Sequence, residues 1–454
     1  MQIIEWSQEE IPVFGEGHTG PAIQRHFNLT RMHGETEFLR HGFFVHIESS
    51  EAPAIVTRTL NANRARAISS EDGSTLWVSP EVAPPPDESV QISDIAVGDL
   101  DDDGTLEVVL ASYAGDVICL NASDGSVKWH RRLPWLINNS LLKICRITDS
   151  PGANLALTVG QTERRTDSSA YARVNWLPDP SLAILDSEGE VEVFIEAYDE
   201  DNSDGHMTWC EDIDGDGLHE VCVCGHERAI WFDGTGERLF EMPSEGEGGH
   251  PDDLIVHNWL PECPGREVLY LNGTIGVRMF GTAAGRMPDP RRFELLAEVD
   301  LSEHSSHLQQ IMALPQPEGP KLVLANIRDP HALLLLLDGN FQPQWGLDLP
   351  IDIMHPHHAD VTGDGRQEII CGGRDREKTA GWCSLQVMTD RGEALYQHRW
   401  DDGEICWVLD VADIDGDGRP EILCSVGSNR GPQGRWSLPE GAEQSLYIIK
   451  PNAE

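Results

Sequence analysis

A chain of 454 residues with 77 Asp and Glu against 33 Lys and Arg carries a formal net charge of -44, which excludes nucleic acid as a partner because phosphates need a basic face. Its 43 Gly and 28 Pro are spread along the whole length, and no apolar run reaches the roughly 18 residues of a membrane span. A soluble, turn-rich protein without a membrane span is expected, and internal repeats are the first thing to seek in it.

Residues 1–42 read as an irregular N-terminal segment. It opens MQIIEWSQEEIPVFGEGHTG, with acids where a secretory signal has basic residues and no continuous apolar run. The chain is therefore expected to be cytoplasmic, or a secreted or periplasmic protein already trimmed. From residue 43 to 454 the chain repeats. The clearest units are DIAVGDLDDDGTLEVVLAS, MTWCEDIDGDGLHEVCVCG, HHADVTGDGRQEIICGG and VLDVADIDGDGRPEILCSV, each an apolar strand, an acidic Gly loop and a second apolar strand. Decayed copies are LLKICRITDSPGANLALTVG, DLIVHNWLPECPGREVLYLNG, LQQIMALPQPEGPKLVLAN and, more faintly, GFFVHIESSEAPAIVTRTLN. A second half follows the strand pairs, as in ICLNASDGSVKWH, AIWFDGTGERLFEM and LQVMTDRGEALYQHRW: a strand, a turn on Asp or Gly and a strand often closing on an aromatic. Gly turns between alternating runs are hairpin signals, so each unit is a four-stranded antiparallel meander.

First strands fall near residues 43, 94, 141, 207, 253, 308, 356 and 408, at the roughly 40 to 50 residue period of propeller blades. The fold class is all-β, a single β-propeller of eight blades, with seven as the alternative count. The eighth unit ends at LYIIKPNAE without a closing hairpin. A strand from the N-terminal segment, Gln2 to Trp6, is expected to fill that edge and close the ring, since closure removes exposed edge strands. The ten cysteines show no disulfide spacing and no CxxC pair; they read as buried thiols.

The loops follow D-x-D-x-D-G-x-x-E, which sets oxygen ligands at alternate positions, a Gly at the sharp turn and a carboxylate beyond it, the wrap a hard cation such as calcium takes. The ligand sets are Asp99, Asp101, Asp103 and Glu107; Asp212, Asp214, Asp216 and Glu220; and Asp413, Asp415, Asp417 and Glu421. A fourth, Asp360, Thr362, Asp364 and Glu368, has one charge fewer and is expected to bind more weakly. These are not EF-hands, because the last acid falls at position nine rather than twelve.

On these loops the units resemble the FG-GAP or VCBS-type calcium repeat of β-propellers, found in integrin heads, bacterial adhesins and polysaccharide lyases. Eight blades with D-x-D-x-D-G loops are most similar to rhamnogalacturonan lyases, with ulvan and rhamnose-glucuronate lyases as relatives in style. The resemblance implies structural Ca2+ at the loop positions and, because fold does not settle function, nothing catalytic.

The positions just before several first strands are rich in histidine: His206, His250 and His257, His304 and His307, and His355, His357 and His358. Imidazoles converging at one mouth of a ring suit a transition-metal site, Zn2+ or Mn2+, or an acid/base pair, whereas a lone His usually caps a strand. The third unit carries an insertion, GQTERRTDSSAYARVNWLPDPS, with Arg164, Arg165, Tyr171, Arg173 and Trp176. Arg pairs carboxylates bidentately and Trp stacks on sugar rings, so this loop is a candidate for an acidic sugar; an exposed loop with incidental charge is the other reading.

The expected function is a polysaccharide lyase acting on a uronic-acid glycan by β-elimination, which needs the carboxylate neutralised, a base for the ring proton and an acid for the leaving oxygen. His206, His250, His307, His357 and His358 are the candidates for base or metal ligand, Tyr171 for proton donor, and Arg164, Arg165 or Arg173 for the carboxylate clamp. The partner is then an acidic polysaccharide or oligosaccharide, and a monomer is expected. The alternative is a non-catalytic calcium propeller, lectin-like or adhesive, that docks a glycan or a protein.

Overall fold

The strand pairs implied by the repeats are drawn out in a computed structural model, which describes residues 3–5, 22–33, 42–47, 52–59, 64–81, 92–112, 115–137, 142–160, 181–196, 207–224, 228–243, 251–272, 276–301, 308, 310–325, 332–349, 351–375, 382–401, 403–427 and 443–450. The strands form eight antiparallel blades, each built on four strands in order. Blade 1 is Gly42–Val45, Ala54–Thr59, Arg64–Ser69 and Thr75–Val78; blade 2 is Ile92–Gly98, Glu107–Ser112, Asp116–Asn121 and Val127–Arg132. Blade 3 has Ile144–Cys145 and Leu136–Ile137 along one edge of Asn154–Gly160, then Ser181–Leu185 and Val191–Ile195. Blade 4 is Met207–Glu211, Glu220–Cys224, Arg228–Phe232 and Arg238–Pro243, and blade 5 is Pro251–His257, Glu267–Asn272, Gly276–Gly281 and Glu294–Asp300. Blade 6 is Gln310–Leu314, Lys321–Ala325, Ala332–Leu337 and Pro343–Leu349; blade 7 is Ile351–Ala359, Glu368–Asp375, Cys383–Met388 and Ala394–Trp400. Blade 8 is Ile405–Ala412, Glu421–Gly427 and Ser445–Lys450, joined by Ala22–Asn28.

By contact density one unit comprises residues 62–67 and 77–300 and the other residues 1–61, 68–76 and 301–454. Blades 2 to 5 lie wholly in the first, blades 6 to 8 in the second. Within a blade, burial follows strand position. Second strands such as Glu107–Ser112, Asn154–Gly160 and Glu421–Gly427 are buried at every residue, whereas the fourth strands Val127–Arg132 and Val191–Ile195 are half exposed. That gradient explains the sequence pattern: a strand covered on both faces reads as a continuous apolar run, and one with a wet face alternates. All ten cysteines are free thiols, and all but Cys263 are fully buried.

The N-terminal residues correct one expectation. Ile3–Glu5 adds a parallel fifth strand to blade 6, pairing with Gly346, Leu347 and Asp348. The missing strand of blade 8 is supplied by Ala22–Asn28, antiparallel to Ser445–Lys450 over six residue pairs. The longer segment wins because it covers the whole edge of its partner, where Ile3–Glu5 covers three residues.

The Asp/Gly hairpins have a second use. Asp186 Oδ1 accepts the backbone N–H groups of Glu188 and Glu190 at 3.0 and 2.9 Å, and Asp233 Oδ1 holds Thr235 and Glu237 in the same way at 2.9 Å each. The Gly of the turn then lies bare for a neighbouring ring. A Cβ added at Gly125 would stand 2.6 Å from the Trp77 indole, and one at Gly189 2.7 Å from Trp129. Each indole donates its N–H to the same turn, Trp77 to Ala122 O at 2.9 Å and Trp129 to Ser187 O at 2.8 Å. Trp345 repeats the contact on Asp390 O at 3.0 Å, and Phe27 sits over Gly73. The aromatic that closes one meander thus locks the turn of the next. Among the described residues no helix is long and apolar enough to cross a membrane.

Candidate cation sites

Each acidic loop is a set of carboxylates that first satisfy their own backbone. Asp413 Oδ1 accepts Gly416 N–H at 2.8 Å and its Oδ2 accepts Gly418 N–H at 2.8 Å. Asp99, Asp212 and Asp360 wrap their turns in the same manner. Asp102, with φ of 58°, takes a left-handed conformation where the sister loops have Gly215, Gly363 and Gly416; Asp is among the few residues that tolerate it.

The closing acid has two oxygens with different tasks. One oxygen of Glu107 accepts Leu100 N–H at 2.8 Å, and Glu220, Glu368 and Glu421 do the same for Ile213, Val361 and Ile414 at 2.9 Å. Among the described residues, that leaves a second oxygen in Glu107, Glu220 and Glu421 without a backbone partner. One oxygen each of Asp99, Asp101 and Glu107 lies within 4.8 Å of the others, and the same holds for Asp212, Asp214 and Glu220 and for Asp413, Asp415 and Glu421. A cation with oxygens at about 2.4 Å needs ligands spaced by no more than twice that distance, so the three all-oxygen sets fit a hard cation. Asp103, Asp216 and Asp417 fall outside these triplets and turn to their own loops, on Thr105, Leu218 and Arg419. The fourth loop forms no such triplet: Thr362 has replaced a carboxylate, and its backbone N–H and hydroxyl both lean on Glu368.

The closing acid is always the first residue of the second strand, and that position can be followed through the chain: Glu107, Asn154, Glu220, Glu267, Lys321, Glu368 and Glu421. Asn154 keeps the backbone task, accepting Ile147 and Thr148 N–H at 2.9 and 3.0 Å. Glu267 keeps it too, for Trp259 and Leu260 at 2.7 and 3.0 Å, although its loop has lost the aspartates.

Electrostatics separate the sets. Burial pushes the Glu220 carboxyl up to about 8, the Ile213 N–H opposes the shift, and Asp214, Asp216 and Asp212 add to it. Burial likewise pushes Glu368 up to about 7 and raises Asp214. The other two triplets contain an ammonium that sequence reasoning missed. Lys128 Nζ lies 2.5 Å from Asp101 and 2.9 Å from Glu107, and Lys450 Nζ lies 2.6, 2.8 and 2.8 Å from Asp415, Asp417 and Glu421. Burial would lower both lysines, but these carboxylates outweigh it and raise them.

Of the histidine candidates, His357 and His358 are described; His206, His250 and His307, with Tyr171, Arg164, Arg165 and Arg173, lie outside the described residues. His357 and His358 are not ahead of a first strand but inside it, because Ile351–Ala359 starts earlier and bulges between Met354 and His357. Burial pushes His357 down to about 4, against a hydrogen bond to the Val408 backbone. His358 Nδ1 is 2.9 Å from Gln367 Oε1, and His355 packs on Trp407 with ring centroids 4.9 Å apart.

An FG-GAP-like repeat family model matches residues 360–424, which runs from the fourth loop through the blade 8 loop. No curated protein matches the chain. Among solved structures, the Dos1 propeller is similar with a TM-score of 0.56 at 10% identity, over 96% of this chain and 98% of that one. The computationally designed Ika8 protein gives 0.55 at 13% identity, over 92% and 98%. The quinohemoprotein alcohol dehydrogenase from Comamonas testosteroni gives 0.54 at 12% identity, over 96% and 77%. At such identities the likeness speaks to the fold, an eight-bladed β-propeller.

Proposed function

We propose that the protein is a calcium-stapled propeller whose acidic loops hold Ca2+ and fix the first two strands of their blades, leaving the remaining surface for docking a glycan or protein. The observation that carries this reading is the triple recurrence of three carboxylate oxygens within 4.8 Å at the same place in blades 2, 4 and 8. Asp99, Asp101 and Glu107, Asp212, Asp214 and Glu220, and Asp413, Asp415 and Glu421 would ligate; Asp103, Asp216 and Asp417 complete the sets, and Asp360, Thr362, Asp364 and Glu368 form a weaker one. The ion would supply no chemistry beyond neutralising buried charge. Melting the protein in chelator and in Ca2+ tests this: a Ca2+-dependent rise in Tm is expected, and identical curves would remove it.

A second reading, β-elimination on a uronate glycan, draws on the burial that pushes His357 down to about 4, toward the neutral form a general base requires. In that reading Arg164, Arg165 or Arg173 clamps the carboxylate, Tyr171 protonates the leaving oxygen, and His206, His250, His307 and His358 assist as base or hold Zn2+ or Mn2+. The assay is ultraviolet absorbance of the unsaturated uronate over a panel of uronate glycans. A flat trace with folded protein would leave the docking scaffold alone, and full activity in His307→Ala and His358→Ala would remove those two histidines from the scheme.

A further inference from the structure

The lysines of this chain are few and their placement is not even. There are five, against 28 arginines. Three of the five end at a loop of this kind: Lys128 and Lys450 within triplets, and Lys321 at the closing-acid position of blade 6, where its Nζ meets Asp390 at 2.5 Å and Glu318 at 3.1 Å. A fourth, Lys143, reaches Glu211, the residue just before the blade 4 loop, at 2.7 Å but pairs with none of its triplet. An ammonium is a compact charge with three donors, whereas guanidinium is a flat fork; only the former imitates a small spherical cation among converging oxygens. Lys128 gets there as the extra residue of a bulge between Val127 and Trp129, a device that re-aims a side chain. Lys450 gets there from the end of a third strand. Two unrelated strand positions deliver the same group to the same place.

Blade 4 differs. Glu220 is only 5% exposed, one oxygen is given to Ile213 N–H, and the other has neither a donor nor an ammonium among the described residues. Asp212 and Asp214 share its cluster.

We infer that Lys128 and Lys450 act as built-in counter-ions occupying the cation position of their loops, so that Asp212, Asp214 and Glu220 form the one high-affinity Ca2+ site, while the other two triplets take Ca2+ only by displacing their lysine. The inference rests on the calcium reading above and ranks its sites. Titrating full-length wild type, Lys128→Met, Lys450→Met and Glu220→Gln with CaCl2 by calorimetry, with ion counts by native mass spectrometry, tests it. Met keeps the apolar stem and deletes the charge. Wild type is expected to bind one tight equivalent, lost in Glu220→Gln. Each Met variant is expected to gain one, through an affinity increase at its loop of about tenfold or more. Lys450→Met stands independently if Lys128→Met fails to fold. Three equivalent tight sites in wild type, or Met variants with unchanged stoichiometry, would overturn the ranking while sparing the calcium reading. No Ca2+ bound by any of the four proteins would overturn both.

Discussion

Replacing Glu220 by Gln removes a buried negative charge and keeps an oxygen to accept from Ile213 N–H. In the cation-free protein the Glu220 carboxyl sits at about 8 rather than 4.5. A carboxyl raised by folding holds its proton more tightly in the native state, so the stability it contributes falls as pH climbs from about 4.5 through about 8 and is level above. At about 1.4 kcal/mol per pH unit, wild type in chelator has lost about 3 kcal/mol at this residue by pH 7, and the Gln variant none. For a chain this long, unfolding cooperatively, that is roughly 3 °C in Tm. Glu220→Gln is therefore expected to melt above wild type at pH 7 in chelator and level with it near pH 4.5. Free Ca2+ at about a hundredfold excess over Kd should bring the two level, since wild type gains about 2.7 kcal/mol, and at about a thousandfold excess the order reverses, because the gain reaches about 4.1 kcal/mol and the variant has lost a ligand. Melting followed by tryptophan fluorescence in four buffers reads all of this. A variant that melts below wild type in chelator at pH 7 would refute the reasoning, since the carboxylate would then have a partner other than an external cation.

Gly125→Ala combines a left-handed backbone, φ 70°, with a Cβ 2.6 Å from the Trp77 ring, and should cost at least about 2 kcal/mol by thermal melting. Gly285→Ala, at φ 79° with nothing within 4 Å, should cost only the backbone share of about 1–2 kcal/mol. Trp129→Phe leaves Ser187 O without its indole donor and should lose about 1–2 kcal/mol; an unchanged melt would show the hydrogen bond is replaced by water. Deleting residues 22–28 strips the edge of Ser445–Lys450 and should give insoluble or proteolysed protein, whereas deleting residues 3–5 should leave the melt nearly intact; equal damage from both would contradict the pairing.

The repeat and its loops were legible in the sequence because both are local: strand, turn and ligand spacing all fall within about twenty residues. What was not legible depends on pairing across the chain. The completing strand of blade 8 sits more than 400 residues from its partner, and nothing local in the sequence points to Ala22–Asn28 rather than to the short apolar start at Gln2 to Trp6; the length of the paired edge does. The repeat spacing puts the first strand of blade 7 near residue 356 and its histidines at a mouth, whereas the strand runs from Ile351, bulges between Met354 and His357 and takes His357 and His358 into the sheet. Lys128 follows its triplet by 21 residues and Lys450 by 29, on different strands, so no spacing motif could join them to the aspartates. Their scarcity was the available signal.

Glu267 carries a consequence for how such a chain can drift. Its loop, PECPGR, has shed every aspartate, yet the carboxyl still ties down two backbone amides, and in blade 3 an asparagine manages the same. The backbone tie of the turn is thus kept where the cluster of aspartates is lost. If the loops hold Ca2+ as proposed, substitution by proline, lysine or threonine can retire one loop at a time while the closing residue keeps its hold on the backbone.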